Sequence, residues 1–147
     1  MQQVAVITGG ARGIGLACAQ NLVASGSKVA LWDTDAAALA QAKQTLPDAR
    51  TMVVDVADYT SVEAAVSTTE NALGPITQVV NSAGIAGPNA VVEDYPIDAW
   101  SDIIQINLTG TFYLLRAILP GMKDRGYGRV VLIASVAGKE GNPNASA

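Results

Sequence analysis

The segment Thr8-Gly9-Gly10-Ala11-Arg12-Gly13-Ile14-Gly15 constrains this chain more than any other. It joins the short apolar run Val4-Ala5-Val6-Ile7 to a helical pattern running from about Gly13 to Ser25. A continuous apolar run of this length reads as a strand covered on both faces. Gly9, Gly13 and Gly15 then open a helix directly after it, so the connection is tight and poor in side chains.

The same change of period recurs along the chain. Gly26 stands where a left-handed cap ends the first helix. Lys28 to Asp33 reads as a second strand, and an Ala-rich helix follows from about Asp35 to Thr45, closed by Pro47. Thr51-Met52-Val53-Val54 is the third strand. Thr60 and Glu63 stand at capping-box spacing at the start of a helix that ends at Gly74-Pro75. Ile76 to Val80 is the fourth strand, a loop containing Gly and Pro follows, and a long helix covers about Asp98 to Met122. Arg129 to Ala134, after the Gly126-Tyr127-Gly128 turn, is the fifth strand. Strict alternation of strands and helices predicts an α/β fold, a doubly wound parallel sheet of Rossmann type with helices on both sides. Five strands in this length match an open doubly wound sheet better than a closed barrel, which needs eight strand–helix units. One domain over 1–147 is expected, with no repeat or linker.

Composition removes whole classes of function. The chain has 147 residues, half of them apolar and 15% charged, with a formal net charge of −4, no His and one Cys. It is too apolar and too weakly charged to be disordered. The acidic balance gives no electrostatic footprint for nucleic acid or an anionic membrane. Without His there is no Ser-His-Asp triad and no His-Glu-x-x-His zinc motif. One Cys permits neither an internal disulfide nor a thiolate metal cluster, so no metal site is expected. Cys18, in an apolar helical pattern, reads as a small core residue. No uninterrupted apolar run approaches the ~18 residues of a membrane span, and no signal peptide is visible, so a cytoplasmic setting is expected.

In doubly wound sheets ligands bind beyond the carboxyl ends of the strands, where the strand order reverses. The glycine turn lies at such an end. A dinucleotide pyrophosphate needs bare backbone and the free N–H groups of a helix mouth, which Gly9, Arg12, Gly13, Ile14 and Gly15 would supply. Asp33 closes the second strand, where a carboxylate accepts hydrogen bonds from an adenosine ribose and repels a 2′-phosphate. Arg12 pulls the other way, because a base beside the turn attracts that phosphate. Asp33, set against the ribose itself, favours NAD over NADP.

Taken together, these motifs make the chain resemble a short-chain dehydrogenase/reductase over its whole length. Thr8 through Gly15 matches the family's glycine motif. Asp55 and Val56, after the third strand, match its adenine-contacting pair. Asn81-Ser82-Ala83-Gly84 matches its Asn-Asn-Ala-Gly turn, with Ser82 in place of the second Asn, and so adds Asn81, Ala83 and Gly84 to the coenzyme residues. The resemblance implies that Asn107, three residues before Gly110 in the long helix, holds a water of a proton relay. It implies that Ser135, ending the fifth strand, hydrogen-bonds the substrate oxygen. Read alone, Asn107 is equally a satisfied core residue at a kink, and Ser135 a turn cap. Trp32, Phe112 and Tyr113 read as packing, Tyr95 and Trp100 as flanking the mouth loop, and Lys123, Asp124 and Arg125 as a solvated charge cluster.

The family's general acid/base is a Tyr followed four residues later by Lys. Counted from Ser135, that Tyr falls one position past Ala147. None of Tyr59, Tyr95, Tyr113 and Tyr127 has a Lys four positions on. The expectation is therefore the N-terminal part of a longer NAD-dependent oxidoreductase acting on a carbonyl or secondary alcohol, inactive by itself. Its nearest likenesses are 3-oxoacyl-carrier-protein reductases and sugar-alcohol dehydrogenases, and the complete protein would be a homotetramer or dimer. The alternative is a non-catalytic NAD-binding module or an inert fragment with an uncovered sheet edge.

Overall fold

The computed structural model describes residues 2–147. Five strands, β1 (Val4–Thr8), β2 (Lys28–Asp33), β3 (Arg50–Val53), β4 (Gln78–Asn81) and β5 (Arg129–Leu132), form one sheet in the order β3-β2-β1-β4-β5. Every pairing is parallel, with Thr8 level with Trp32 on one side and Asn81 on the other. The chain builds outward from β1 to β3, then returns to the far side of β1 for β4. The order therefore reverses between β1 and β4, and all the strands present their carboxyl ends to that crevice.

Side-chain alternation sorts the core into two layers. Val4 and Val6 of β1, with Ala30 and Trp32 of β2, face a cluster completed by Val62 and Ala65 of α3 (Tyr59–Leu73) and by Leu114, Ile118 and Met122 of α5 (Gly110–Asp124). Ala5 and Ile7, with Val29 and Leu31, face the opposite cluster, completed by Ala19 of α1 (Gly13–Ala24) and by Leu39 and Ala42 of α2 (Ala36–Thr45). All five residues of β1 are buried, which is why its sequence is apolar on both faces. Cys18 is half-buried and packs against the second layer from its rim.

The helix ends show which local signals act. The Gly26 and Ser27 N–H groups donate to the carbonyls of Val23 and Leu22 and close α1. Asp35 caps α2 by accepting from the Ala38 N–H at 2.9 Å. α3 starts a residue before the expected capping box: Asp58 is its cap and accepts from the Thr60 N–H at 2.9 Å. The carboxylate out-competes Thr60 because it is already aimed at the helix mouth.

The expected single long helix has three parts, α4 (Ile97–Ile103), a π-helical stretch (Ile104–Thr109) and α5. By length and composition the joined stretch 97–124 is apolar enough to cross a membrane, a property that a search for uninterrupted apolar runs does not find. Its Leu114, Ile118 and Met122 are instead core residues of the sheet domain. α6 (Ala137–Glu140) is a single turn after β5. Arg125 departs from the solvated reading: it is mostly covered, donates to the Ile76 carbonyl at 2.7 Å and sits 3.7 Å from Glu70. Its long side chain reaches back under α5 to tie that helix to the entry of β4.

Candidate functional site

The carboxyl ends of four strands and the π-helical stretch enclose a cavity of about 480 Å³. Gly9, Arg12 and Ile14 enter it from the turn after β1. Trp32, Asp33 and Thr34 come from the end of β2, and Val54, Asp55 and Val56 from the end of β3. Ser82, Ala83, Gly84 and Ile85 follow β4, and Ile106 reaches in from the π stretch. Of the expected coenzyme residues, Gly13, Gly15 and Asn81 are not in its walls; they build the walls instead.

Gly15 shows how. A Cβ there would lie 2.2 Å from the Gly9 carbonyl oxygen, so only a glycine lets α1 rise this close to the turn. Gly13 is different: its φ is +54°, yet a Cβ would meet nothing within 4 Å. Its conformation requires glycine while the space above it is open, beside a helix mouth whose cap residue, Arg12, makes no side-chain cap bond. Open space over uncapped N–H groups is the cradle that a diphosphate fits.

Asp33 holds two turns at once. One carboxylate oxygen accepts from the Ala11 N–H at 3.2 Å, and the other from the Asp35 N–H at 3.1 Å. The Gly10 N–H donates to the Trp32 carbonyl at 3.1 Å, so the glycine turn and the end of β2 are fixed to each other. Asp33 thus stands in the cavity wall with its orientation set from both sides, and lone pairs remain for a sugar diol. Arg12 forms an ion pair with Asp35. The Asp35 carboxyl is held below its ordinary pKa, first by the Ala38 N–H and then by the Arg12 guanidinium. Asp55, in the wall, also turns the chain into α3 by accepting from the Ala57 N–H at 2.8 Å.

A relay of hydrogen bonds crosses the reversal point. The Thr8 hydroxyl donates to Asn81 Oδ1 at 2.6 Å and accepts from the Ser82 and Ala83 N–H groups. Asn81 Nδ2 donates to the Thr111 hydroxyl at 2.8 Å, which donates to the Asn107 carbonyl at 2.7 Å. The Asn107 side chain then pairs with the main chain of Ile85, accepting its N–H and donating to its carbonyl, each at 2.9 Å. Ile85 thus engages both the oxygen and the nitrogen of the Asn107 side chain, and Thr111 engages its main-chain carbonyl.

Ser135 lies elsewhere. β5 ends at Leu132, earlier than expected, and Ser135 is exposed in the following turn. Its hydroxyl accepts from the Ala137 N–H at 3.1 Å, the arrangement of a turn cap, and it is not in the cavity wall. Among wall residues, Trp32, Thr34, Val54, Ser82, Ile85 and Ile106 were not expected from the sequence. Each neighbours an expected one or lies on the π stretch, so proximity to a strand end was the available signal. Tyr95 and Trp100 pack edge to face, 6.4 Å apart, outside the wall.

Comparison with known proteins decides the family. The family model for short chain dehydrogenase matches residues 3–147. The chain belongs to the short chain dehydrogenase family. It is 45% identical over 143 residues to the 2-dehydro-3-deoxy-L-rhamnonate dehydrogenase (NAD(+)) of Sphingomonas sp. (strain SKA58), covering 97% of this chain and 57% of that protein. Among solved structures, NAD+-bound xylitol dehydrogenase superposes with a TM-score of 0.95 at 36% identity, over 98% of this chain and 57% of that one. A variant of actinorhodin polyketide ketoreductase with NADPH also reaches 0.95, at 32% identity, over 99% and 57%. The chain thus spans a little over half the length of these members of the short chain dehydrogenase family, and they include both an NAD+ complex and an NADPH complex.

Proposed function

We propose that residues 1–147 form a dinucleotide-binding domain and that the crevice between β1 and β4 takes up NAD(H). The observation that carries this reading is Asp33, fixed by two N–H groups in the wall beside a glycine turn whose mouth is open. The helix mouth of α1 would hold the diphosphate, Asp33 the adenosine ribose, and Asp55 and Val56 the adenine. A second acid, Asp35, already engages Arg12, which supports NAD over NADP. The NAD+-dependent relative is consistent with this choice, and the NADPH-bound one shows that the fold admits the other.

For the complete protein we propose oxidoreduction between a carbonyl and a secondary alcohol, with small molecules as substrates and a cytoplasmic setting. The bound nicotinamide would supply the hydride chemistry. Ser135, released from its turn, would orient the substrate oxygen, and Asn107 would hold a relay water. A Tyr and Lys outside these residues would complete the acid/base pair. Assembly into dimers or tetramers is part of the proposal, supported by the exposed Trp100, Leu108, Phe112 and Leu119 of the α4–α5 stretch. A second reading for these residues alone is a non-catalytic coenzyme-binding module. It is favoured by Ser135 capping its own turn and by the lack of any Tyr four residues before a Lys.

Titration of the chain with NADH, followed through tryptophan fluorescence, tests the coenzyme reading. Trp32 lines the cavity, so saturable quenching is expected, and Trp32→Phe removes most of the signal while binding persists by calorimetry. Absence of saturable uptake overturns the reading.

A further inference from the structure

Arg12 and Asp33 share the wall of the cavity at the place proposed for the adenosine ribose, while Asp35 is not in that wall. Arg12 is the one basic residue among the wall residues, and its guanidinium is committed to Asp35. Asp35 is itself tied down at two points. Its N–H donates to Asp33, and its carboxylate caps α2 through the Ala38 N–H, so the anion that receives Arg12 is anchored at both ends of the residue. We propose that Asp35 is a positioning residue for coenzyme choice, acting through Arg12: it holds the base in an ion pair and thereby denies it to a 2′-phosphate.

This rests on the coenzyme reading above and deepens it. Asp33 excludes a 2′-phosphate by its own charge; Asp35 removes the partner that would compensate for that charge. The two acids outnumber the one base, and the base is spent on the acid that makes no part of the wall. A guanidinium bonds a phosphate in a fork of charge-assisted hydrogen bonds, so releasing it adds a strong contact where none is now available.

The test is a double-mutant cycle on the chain as it stands, with NADH and NADPH titrated separately. D35N removes the charge and keeps an acceptor for the Ala38 N–H, and D35S provides a second capping variant should the first fold poorly. In either variant the NADPH-to-NADH affinity ratio is expected to rise by roughly tenfold. R12Q is expected to cancel that rise in the double variant and to change the ratio much less in the wild-type background, the non-additivity that identifies a coupled pair. A ratio unchanged in both D35N and D35S overturns the proposal. A rise that persists in R12Q/D35N overturns it as well, because the effect is then the loss of a negative charge and not the release of Arg12. Either of these outcomes, with saturable NADH uptake retained by the wild type, defeats this inference alone. Failure of every variant to bind either coenzyme defeats the coenzyme reading and this inference with it.

Discussion

β1 and β5 lie one strand apart in the same sheet, are both paired in parallel, and carry similarly apolar sequences, yet their surroundings are opposite. All five residues of β1 are buried, and all four of β5 are exposed, with Val131 at 51%. The difference is not in the backbone, since β5 keeps regular pairing from Gln78–Arg129 to Asn81–Leu132. It lies in what covers each strand. β1 has α1 on one face and the α3–α5 layer on the other; β5 has no comparable cover among the described residues. An apolar run thus specifies a strand locally, while its contribution to stability is set by its neighbours.

Substitutions at the two strands give the strongest contrast. Ile7→Ala, in the fully buried strand, is expected to cost about 3 kcal/mol in denaturant unfolding, because it opens a cavity inside a closed layer. Gly15→Ala is expected to cost about 1–3 kcal/mol, since its methyl group is directed at the Gly9 carbonyl, and to lower NADH affinity as the turn shifts. Arg125→Met, which strips the Ile76 carbonyl of its donor, is expected to cost about 1–2 kcal/mol. Val131→Ala in β5 is expected to cost less than about 1 kcal/mol. If it matches Ile7→Ala, β5 is covered in solution and the contrast disappears.

The smallest effect concerns pH. The Asp35 carboxyl is held below its ordinary value of 3.8, so it adds stability above that pH and loses it as pH falls through the lowered value. The melting-temperature difference between wild type and D35N is therefore expected to be positive near neutrality and to shrink in acid. Because the pair is exposed to solvent, the difference should also fall with added salt. A difference that grows in acid reverses the sign of the argument.

How much of this was legible in the sequence follows the same division between local and distant causes. The strands, the glycine turn and Asp33 were readable because each is specified by its own residues: apolar runs, missing Cβ atoms, a carboxylate at a strand end. Of the residues expected at a coenzyme, Gly9, Arg12, Ile14, Asp33, Asp55, Val56, Ala83 and Gly84 line the cavity. Gly13, Gly15 and Asn81 act one step behind the wall, a distinction that needs the distance from Gly15 to Gly9 or from Asn81 to Thr111. Arg125 was misread because the carbonyl it seeks belongs to Ile76, far away in the chain. The cap at Asp58 was missed because two signals competed within three residues, and the stronger acceptor prevailed. The π stretch left no mark of its own in the sequence beyond a polar Asn107 among apolar neighbours.

The pairing of Asn107 with both main-chain groups of Ile85 has a practical corollary for engineering. It clamps the upstream end of the loop between β4 and α4, so whatever is grafted from Gly87 to Tyr95 begins from a fixed anchor. A methyl group on Gly87 would strike both the Tyr95 ring hydroxyl and the Ile103 side chain, so replacing that glycine calls for changes at both neighbours. Within that limit the loop is a replaceable cassette, and the half of the crevice facing β2 and β3 should not register the swap.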